Sequence, residues 1–332
     1  MALFERGREG LEHSQSNSQR EEVLMPAAVT DAGCERTLNE DRYAVIESPS
    51  GVLWLVCDGM GGEMGGELAA QLALDAIKRD LESYPARPCA QALRSALLEA
   101  NRVIVLRRQN PAFQHMGTTI VAAMFSGNEL CIASVGDSRA YLVSNGEAVQ
   151  LTVDHTYVQQ LVDNGELHPD EALSHPQAHV LTRCIGAEPA LKIDINTYYI
   201  WPPEGQETTF LLLCSDGLYS LVSQKEIGEA VSTLSPQKAC AHLVELAKQR
   251  GGFDNITIAI IPIKGSVRTY PPQELKTSLT NSQELINSWG IETAQGEEGD
   301  SLLRDAAIGV LVSLVAVLGV ILVVFLKLSG KI

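Results

Sequence analysis

Thr119-Ile-Val-Ala-Ala-Met-Phe125, Ser126-Gly127-Asn128, Glu129-Leu-Cys-Ile-Ala-Ser-Val135 is the stretch that decides the fold class. Two apolar runs of strand length flank three residues of turn chemistry, and that combination reads as a β-hairpin. A second connection of the same kind, Ser144-Asn145-Gly146, follows the run Ala140–Ser144. Hairpins dictate antiparallel pairing, so a doubly wound parallel sheet is excluded. Further strand-like runs, rich in Val, Ile, Leu and aromatic residues, lie at Arg42–Ile46, Val52–Cys57, Phe210–Cys214 and Ile256–Ile261. The period lengthens to that of a helix in Glu67–Leu81, where Leu68, Leu72 and Ala76 share a face. It does so again in Ala90–Arg108, through Leu93, Leu97, Ala100 and Ile104, and in Pro236–Arg250, through Cys240, Leu243, Val244 and Ala247. Long helices with many antiparallel strands predict an α+β protein in which two sheets pack together with helices outside.

Several strands stop on a carboxylate. Val52–Cys57 ends on Asp58-Gly59, and Phe210–Cys214 ends on Ser215-Asp216-Gly217. Asn39-Glu40-Asp41, Gly136-Asp137-Ser138-Arg139 and Asp254-Asn255 have the same composition. Taken singly, Asp-Gly is a turn, and Asp137, between two strands, reads equally well as a hairpin residue. Taken together, four or five carboxylates at strand ends would bind hard divalent cations, which prefer oxygen ligands. Gly59, Gly61, Gly62, Gly65 and Gly66 crowd the turn after Asp58, but no Gly-Lys-Ser/Thr follows, so a P-loop is excluded.

The chain has 332 residues, is 45% hydrophobic and carries a net charge of −16. With no Lys/Arg-rich run, a nucleic-acid partner is not expected. Seven cysteines, at 34, 57, 89, 131, 184, 214 and 240, contain no CxxC pair, which speaks against a disulfide framework or a thiolate zinc site. Cys57 and Cys214 sit in apolar runs, as packing residues do.

The ends differ from the middle. Residues 1–22 are polar, without an apolar signal-peptide core, and are expected to be a disordered lead-in. Residues 264–305 read as a flexible juxtamembrane linker. Residues 306–326 are 21 residues without a charge, enough at 1.5 Å per residue to cross roughly 30 Å of hydrocarbon as one C-terminal transmembrane helix. Residues 327–332 form a short tail. Free cysteines and no signal peptide favour a globular part in the cytoplasm, held to the membrane by a single-pass tail anchor.

In order, the motifs are Asp31-Ala-Gly33, Arg36 and Asn39-Glu40-Asp41; Asp58-Gly59-Met60-Gly61-Gly62 with Gly66-Glu67-Leu-Ala69; and Gly117-Thr118-Thr119. There follow Gly136-Asp137-Ser138-Arg139, Leu151-Thr152-Val-Asp154-His155, Leu181-Thr182-Arg183, Ser215-Asp216-Gly217-Leu218 and Gly252-Phe-Asp254-Asn255-Ile256-Thr257. This set resembles the metal-dependent serine/threonine protein phosphatases of type 2C, in the spacing of the bacterial branch, over about residues 23–263. The resemblance implies a four-layer αββα sandwich of two mainly antiparallel sheets, with a mobile flap at about 154–182. It implies two catalytic Mn2+ or Mg2+ ions bridged by Asp58, with the Gly59 carbonyl, Asp216 and Asp254 as further ligands. Glu40 and Asp41 would hold ion-bound water, and Asp137 with Asp216 would form the third-metal site of bacterial members. Arg36 resembles the phosphate-binding arginine, and Arg36, Asp58 and Asp216 are the expected catalytic residues. The reaction so implied is attack on a phosphoserine or phosphothreonine ester by a hydroxide bridging the ions.

One position departs from the animal pattern: Met60 stands where a proton-donating histidine follows Asp-Gly, and His155 and His175 are weak substitutes. The expected partners are phosphoserine and phosphothreonine proteins, among them a membrane Ser/Thr kinase, with the protein itself a monomer. Two rivals remain: a catalytically silent phosphoprotein-binding sensor of the same fold, and a metal-dependent phosphatase for a small phosphate ester.

Overall fold

Strands β6 (Ile120–Ser126) and β7 (Glu129–Val135) form the expected hairpin, with Ser126 opposite Glu129. In this computed structural model, which describes residues 25–61, 65–202 and 208–269, they lie at the middle of a six-stranded sheet. Its other members are β2 (Arg42–Ser48), β3 (Gly51–Cys57), β10 (Asp194–Trp201) and β13 (Ser266–Thr269), in the order β13-β10-β7-β6-β3-β2. A second, five-stranded sheet runs β1-β12-β11-β8-β9, from β1 (Ala27–Asp31), β12 (Ile256–Ile263), β11 (Thr209–Cys214), β8 (Arg139–Ser144) and β9 (Glu147–Gln150). The two-residue strands β4 (Gly59–Met60) and β5 (Gly117–Thr118) form a separate pair beside them. Every pairing described is antiparallel.

Alternation along the central strands builds three stacked cores. In β6, Ile120, Ala122 and Met124 face helices α1 (Gly65–Ser83) and α2 (Cys89–Arg107), while Val121 and Ala123 face the other sheet. In β11, Phe210, Leu212 and Cys214 face helices α5 (Gln224–Thr233) and α6 (Pro236–Gln249), while Leu211 and Leu213 face inward. A strand buried on both faces must read as a continuous apolar run, and these do. The layers are therefore helix, sheet, sheet, helix. The β8–β9 turn places Asn145 (φ 53°) and Gly146 (φ 83°) both in the left-handed region, as the twist of a two-residue hairpin requires.

The predicted boundaries shift by one or two residues at most ends. Thr119 falls between β5 and β6 rather than opening the strand, and the helices run Gly65–Ser83, Cys89–Arg107 and Pro236–Gln249. Asp137 is not a hairpin residue: β7 and β8 belong to different sheets, and Gly136-Asp137-Ser138 carries the chain from one to the other. The folded domain does not stop at residue 263, because β13 pairs with β10 over Tyr198–Trp201. Strands β1, β9, β10 and β13 and the flap helix α3 (Tyr157–Asp163) have no counterpart in the sequence reading. All seven cysteines are unpaired. Among the described residues no helix is long and apolar enough to cross a membrane. The lead-in at 1–22, the linker beyond residue 269, the span at 306–326 and the tail at 327–332 lie outside the described residues.

Candidate active site

Strand ends of both sheets deliver carboxylates to one cavity of about 420 Å3. Asp58 arrives directly after β3, Asp137 from the crossing between the sheets, and Asp254 two residues before β12. Asp216 opens the one-turn helix α4 (Asp216–Tyr219) after β11, and Glu40 and Arg36 come from the β1–β2 loop. Thr37, Leu38, Gly59, Met60, Gly61, Thr119, His179 and Leu181 complete the wall.

Each of these groups is fixed by neighbours. The Asp58 N–H donates to Thr119 Oγ1 at 3.1 Å, and its carbonyl accepts from Thr119 N and Thr118 Oγ1, both at 2.8 Å. Thr119 Oγ1 is itself 2.7 Å from Ser138 Oγ, so the Asp58 turn is tied to the crossing that bears Asp137. A Cβ on Gly59 would collide with the Gly66 carbonyl; only glycine lets β4 pass so close to the start of α1. The Glu40 carboxylate accepts from the N–H groups of Gly66 and Glu67, in the first turn of α1, where the helix dipole favours negative charge. Asn255 Oδ1 accepts from Glu40 N at 2.7 Å, and Nδ2 donates to the Ala32 and Leu38 carbonyls at 3.1 and 3.0 Å. That one amide pins the loop that carries Arg36. Arg36 Nη2 donates to Asp254 Oδ2 at 2.7 Å. Tyr219 Oη donates to the Asp137 carbonyl at 3.0 Å, beneath the Arg139 guanidinium, which lies 3.6 Å from the Tyr219 ring and pairs with Asp154.

Charge is badly balanced here. Burial, then Asp41, Asp216, Asp137 and Asp254, hold the Asp58 carboxyl well above the usual carboxylate range. Burial pushes Asp41 up to about 7 against the Ser215 and Thr257 hydrogen bonds, and burial with Asp216 pushes Asp137 up to about 7. Glu40 and Asp254 are raised too, chiefly by burial. Two carboxylate oxygens, Asp41 Oδ1 and Asp216 Oδ1, are buried with no hydrogen-bond partner. An orphaned buried acceptor costs about 1–3 kcal/mol. Acceptor-only oxygens crowded by like charge are what divalent cations satisfy, and an all-oxygen set suits Mg2+ or Mn2+. The residues present therefore fit such ions.

Of the predicted site residues, Arg36, Glu40, Asp58, Gly59, Asp137, Asp216 and Asp254 all line the cavity. Asp41 does not: it is fully buried below it, with Oδ2 accepting from Ser215 Oγ at 2.7 Å. His155 is no proton donor to this cavity. Its Nδ1 accepts from Gly136 N at 3.0 Å, which leaves that nitrogen without a proton and the ring neutral, and its Nε2 lies 3.0 Å from both Asp194 Oδ2 and Arg183 Nη1. His175 is outside the cavity wall and its Nδ1 accepts from Gln177 N at 3.1 Å. His179 is the residue that sequence reasoning missed. Its Nδ1 lies 3.1 Å from Asp216 Oδ2, and it joins Asp137 and Asp216 in a group whose ligand atoms all lie within 4.8 Å of one another. Nothing in the sequence singled it out from the other flap histidines; only the fold turns it toward the carboxylates.

A family profile described as protein phosphatase 2C matches residues 36–161. The serine/threonine protein phosphatase PstP of Mycobacterium tuberculosis is 37% identical over 246 residues, 73% of this chain and 45% of its own length. The serine/threonine phosphatase stp of Listeria monocytogenes is 37% identical over 241 residues, 70% of this chain and 93% of its own length. The chain thus spans less than half of the mycobacterial relative and nearly all of the listerial one. The crystal structure of the PstP catalytic domain in complex with 2 manganese ions superposes with a TM-score of 0.62 at 33% identity, over 72% of this chain and 98% of that one.

Proposed function

This chain belongs to the protein phosphatase 2C family, with the bacterial serine/threonine phosphatases, and from that membership we propose that it hydrolyses phosphoserine and phosphothreonine esters in proteins with Mn2+ or Mg2+. The observation that carries the reading is the meeting of Glu40, Asp58, Asp137, Asp216 and Asp254 in one cavity with the Arg36 guanidinium on the same wall.

In this reading Asp58, the Gly59 carbonyl, Asp216 and Asp254 would hold two ions, Glu40 would hold water around them, Asp41 would add its charge from beneath, and Asp137 with Asp216 would offer a third position. The ions would lower the pKa of a water between them and offset the charge of the phosphate. Arg36 binds the substrate: its planar fork suits two phosphate oxygens, and the dianion competes with Asp254 for it. Thr118 and Thr119 fix the backbone of Asp58, and with it the point from which its carboxylate enters the cavity. Met60 can donate no proton, so the proton for the leaving alkoxide comes from water or from another group in the cavity. Burial pushes the Cys57 and Cys214 thiols far up, so neither serves as a thiolate nucleophile.

Residues 306–326 would anchor this activity to a membrane with the phosphatase domain in the cytoplasm; the support for the anchor is a 21-residue run without a charge, and for the side the seven unpaired cysteines of the domain. A membrane-held substrate, such as a Ser/Thr kinase, fits that placement.

The test is phosphate release by the full chain from a phosphothreonine peptide with Mn2+, with Mg2+ and with excess chelator. Release that needs either ion and stops with chelator is the expected result. A folded protein that releases nothing with any ion overturns the reading in favour of a silent phosphoprotein-binding sensor.

A further inference from the structure

We propose that Asn255 is a positioning residue for the phosphate of the substrate, with its duties divided: the side-chain amide sets where Arg36 stands, and the backbone serves the carboxylates. The inference rests on the phosphatase reading above and assigns a role there to a residue that acts through Arg36.

Among the described residues no helix or strand lies between Asp31, which ends β1, and Arg42, which opens β2, so the loop that bears Arg36 has no ladder to hold it. Residues 34–38 are exposed. Ordering such a loop at the moment of binding would subtract its entropy from the affinity, and a loop ordered beforehand avoids that loss. Asn255, 4% exposed, does the ordering. Its Nδ2 donates to the Ala32 carbonyl at 3.1 Å and to the Leu38 carbonyl at 3.0 Å, one on either side of Arg36. Both amide donors are thereby used, and Oδ1 accepts from Glu40 N at 2.7 Å. The Arg36–Asp254 pair cannot replace this clamp: its side chains are 49% and 37% exposed, and water screens such a pair.

The backbone of Asn255 has other partners. Its N–H donates to Asp254 Oδ1 at 2.8 Å. Its carbonyl lies against Gly217, beside Asp216, where a Cβ would collide with it. The Glu40 carboxylate rests on the N–H groups of Gly66 and Glu67, not on Asn255. Asn255→Ala therefore cuts the three bonds to the loop and leaves each of these contacts in place. The variant separates capture of the phosphate from retention of the ions.

The experiment is a double-mutant cycle in the full chain, crossing Asn255→Ala with Arg36→Ala. It reads phosphate release from a phosphothreonine peptide in Mn2+, Mn2+ affinity from the electron paramagnetic resonance of the free ion, and hydrogen exchange of the backbone amides. Asn255→Ala should raise KM, and with it the inhibition constant of inorganic phosphate, by about tenfold, a coupling of the size found between groups that act together. Its kcat and Mn2+ affinity should change by less than about twofold, as expected where binding and not chemistry is lost. Exchange should quicken over residues 33–40 and stay unchanged in β12. In the Arg36→Ala background the same substitution should raise KM by less than about twofold, because the guanidinium that it positions is gone. Effects on KM that multiply, a fall in kcat or Mn2+ affinity with KM unchanged, or unchanged exchange over residues 33–40 overturns the inference and leaves the phosphatase standing. If Asn255→Ala does not fold, Asn255→Ser, which keeps a small polar group in the same space, is held to the same readouts. A folded wild type that releases no phosphate with any ion overturns the phosphatase reading and the inference with it.

Discussion

At the scale of single residues, Asp58 and His155 make opposite predictions. Asp58 is a liability to the fold, because burial and four carboxylates oppose its charge. Asp58→Asn removes that charge and keeps the shape. The variant should lose several kcal/mol of transition-state stabilisation, on the order of a thousandfold in kcat. In chelator it should melt higher than the wild type, by about 2–4 °C for each kcal/mol recovered. Phosphate release and calorimetry on the two proteins check both halves. His155 is an asset to the fold only while neutral. Its Nδ1 is occupied by the Gly136 N–H, and burial lowers its pKa, ahead of the opposing Asp194 bond. A histidine with a folded-state pKa below its unfolded value of about 6.5 gives stability that is present above 6.5 and lost as pH falls through the folded value. His155→Asn keeps an acceptor for Gly136 and cannot protonate. Its urea midpoint should therefore fall less steeply than that of the wild type between pH 7 and pH 5, which paired denaturation curves would show.

At the scale of elements, the layers are held by strands that bury both faces. Leu213 lies in the core between the sheets and is fully buried. Leu213→Ala should cost about 2–5 kcal/mol, read as a shift of the urea midpoint, because neighbours on two rigid sheets cannot collapse into the space. Gly217 is constrained differently: a Cβ there would collide with the Asn255 carbonyl, on the residue that pins the Arg36 loop. The central strands were legible because apolar residues dominate Thr119–Phe125 and Glu129–Val135 and fill Phe210–Cys214. The edge strands were not. In β10, Asp194-Ile-Asn-Thr-Tyr-Tyr-Ile-Trp201 is half-exposed and mixes polar residues among the apolar ones, and β1, β9 and β13 are only four or five residues long. Pairing with a neighbour, not local pattern, makes these segments strands. The site divides in the same way. Carboxylates that end apolar runs announce themselves, while His179 depends on how the flap folds back, and the depth of Asp41 below the cavity depends on Ser215.

At the scale of the whole molecule, an acidic chain with carboxylates gathered in one cavity is stabilised by whatever cation binds there. Ions that bind only the folded state add about 2.7 kcal/mol at a hundred times their dissociation constant. Mn2+ should accordingly raise the melting temperature, and chelator should return it; a melting temperature indifferent to Mn2+ would contradict this. Deleting residues 306–332 should move the protein from the membrane pellet to the supernatant with its phosphatase activity intact, and a truncated chain that still pellets would remove the anchor from the account. The most direct test of the central claim is anomalous diffraction at the manganese edge from crystals of the full chain grown with Mn2+. Two peaks within coordination distance of Asp58, shared with Asp216 and Asp254, are the predicted result. A fully folded protein with no peak beside Asp58, or with ions bound only elsewhere, would contradict it.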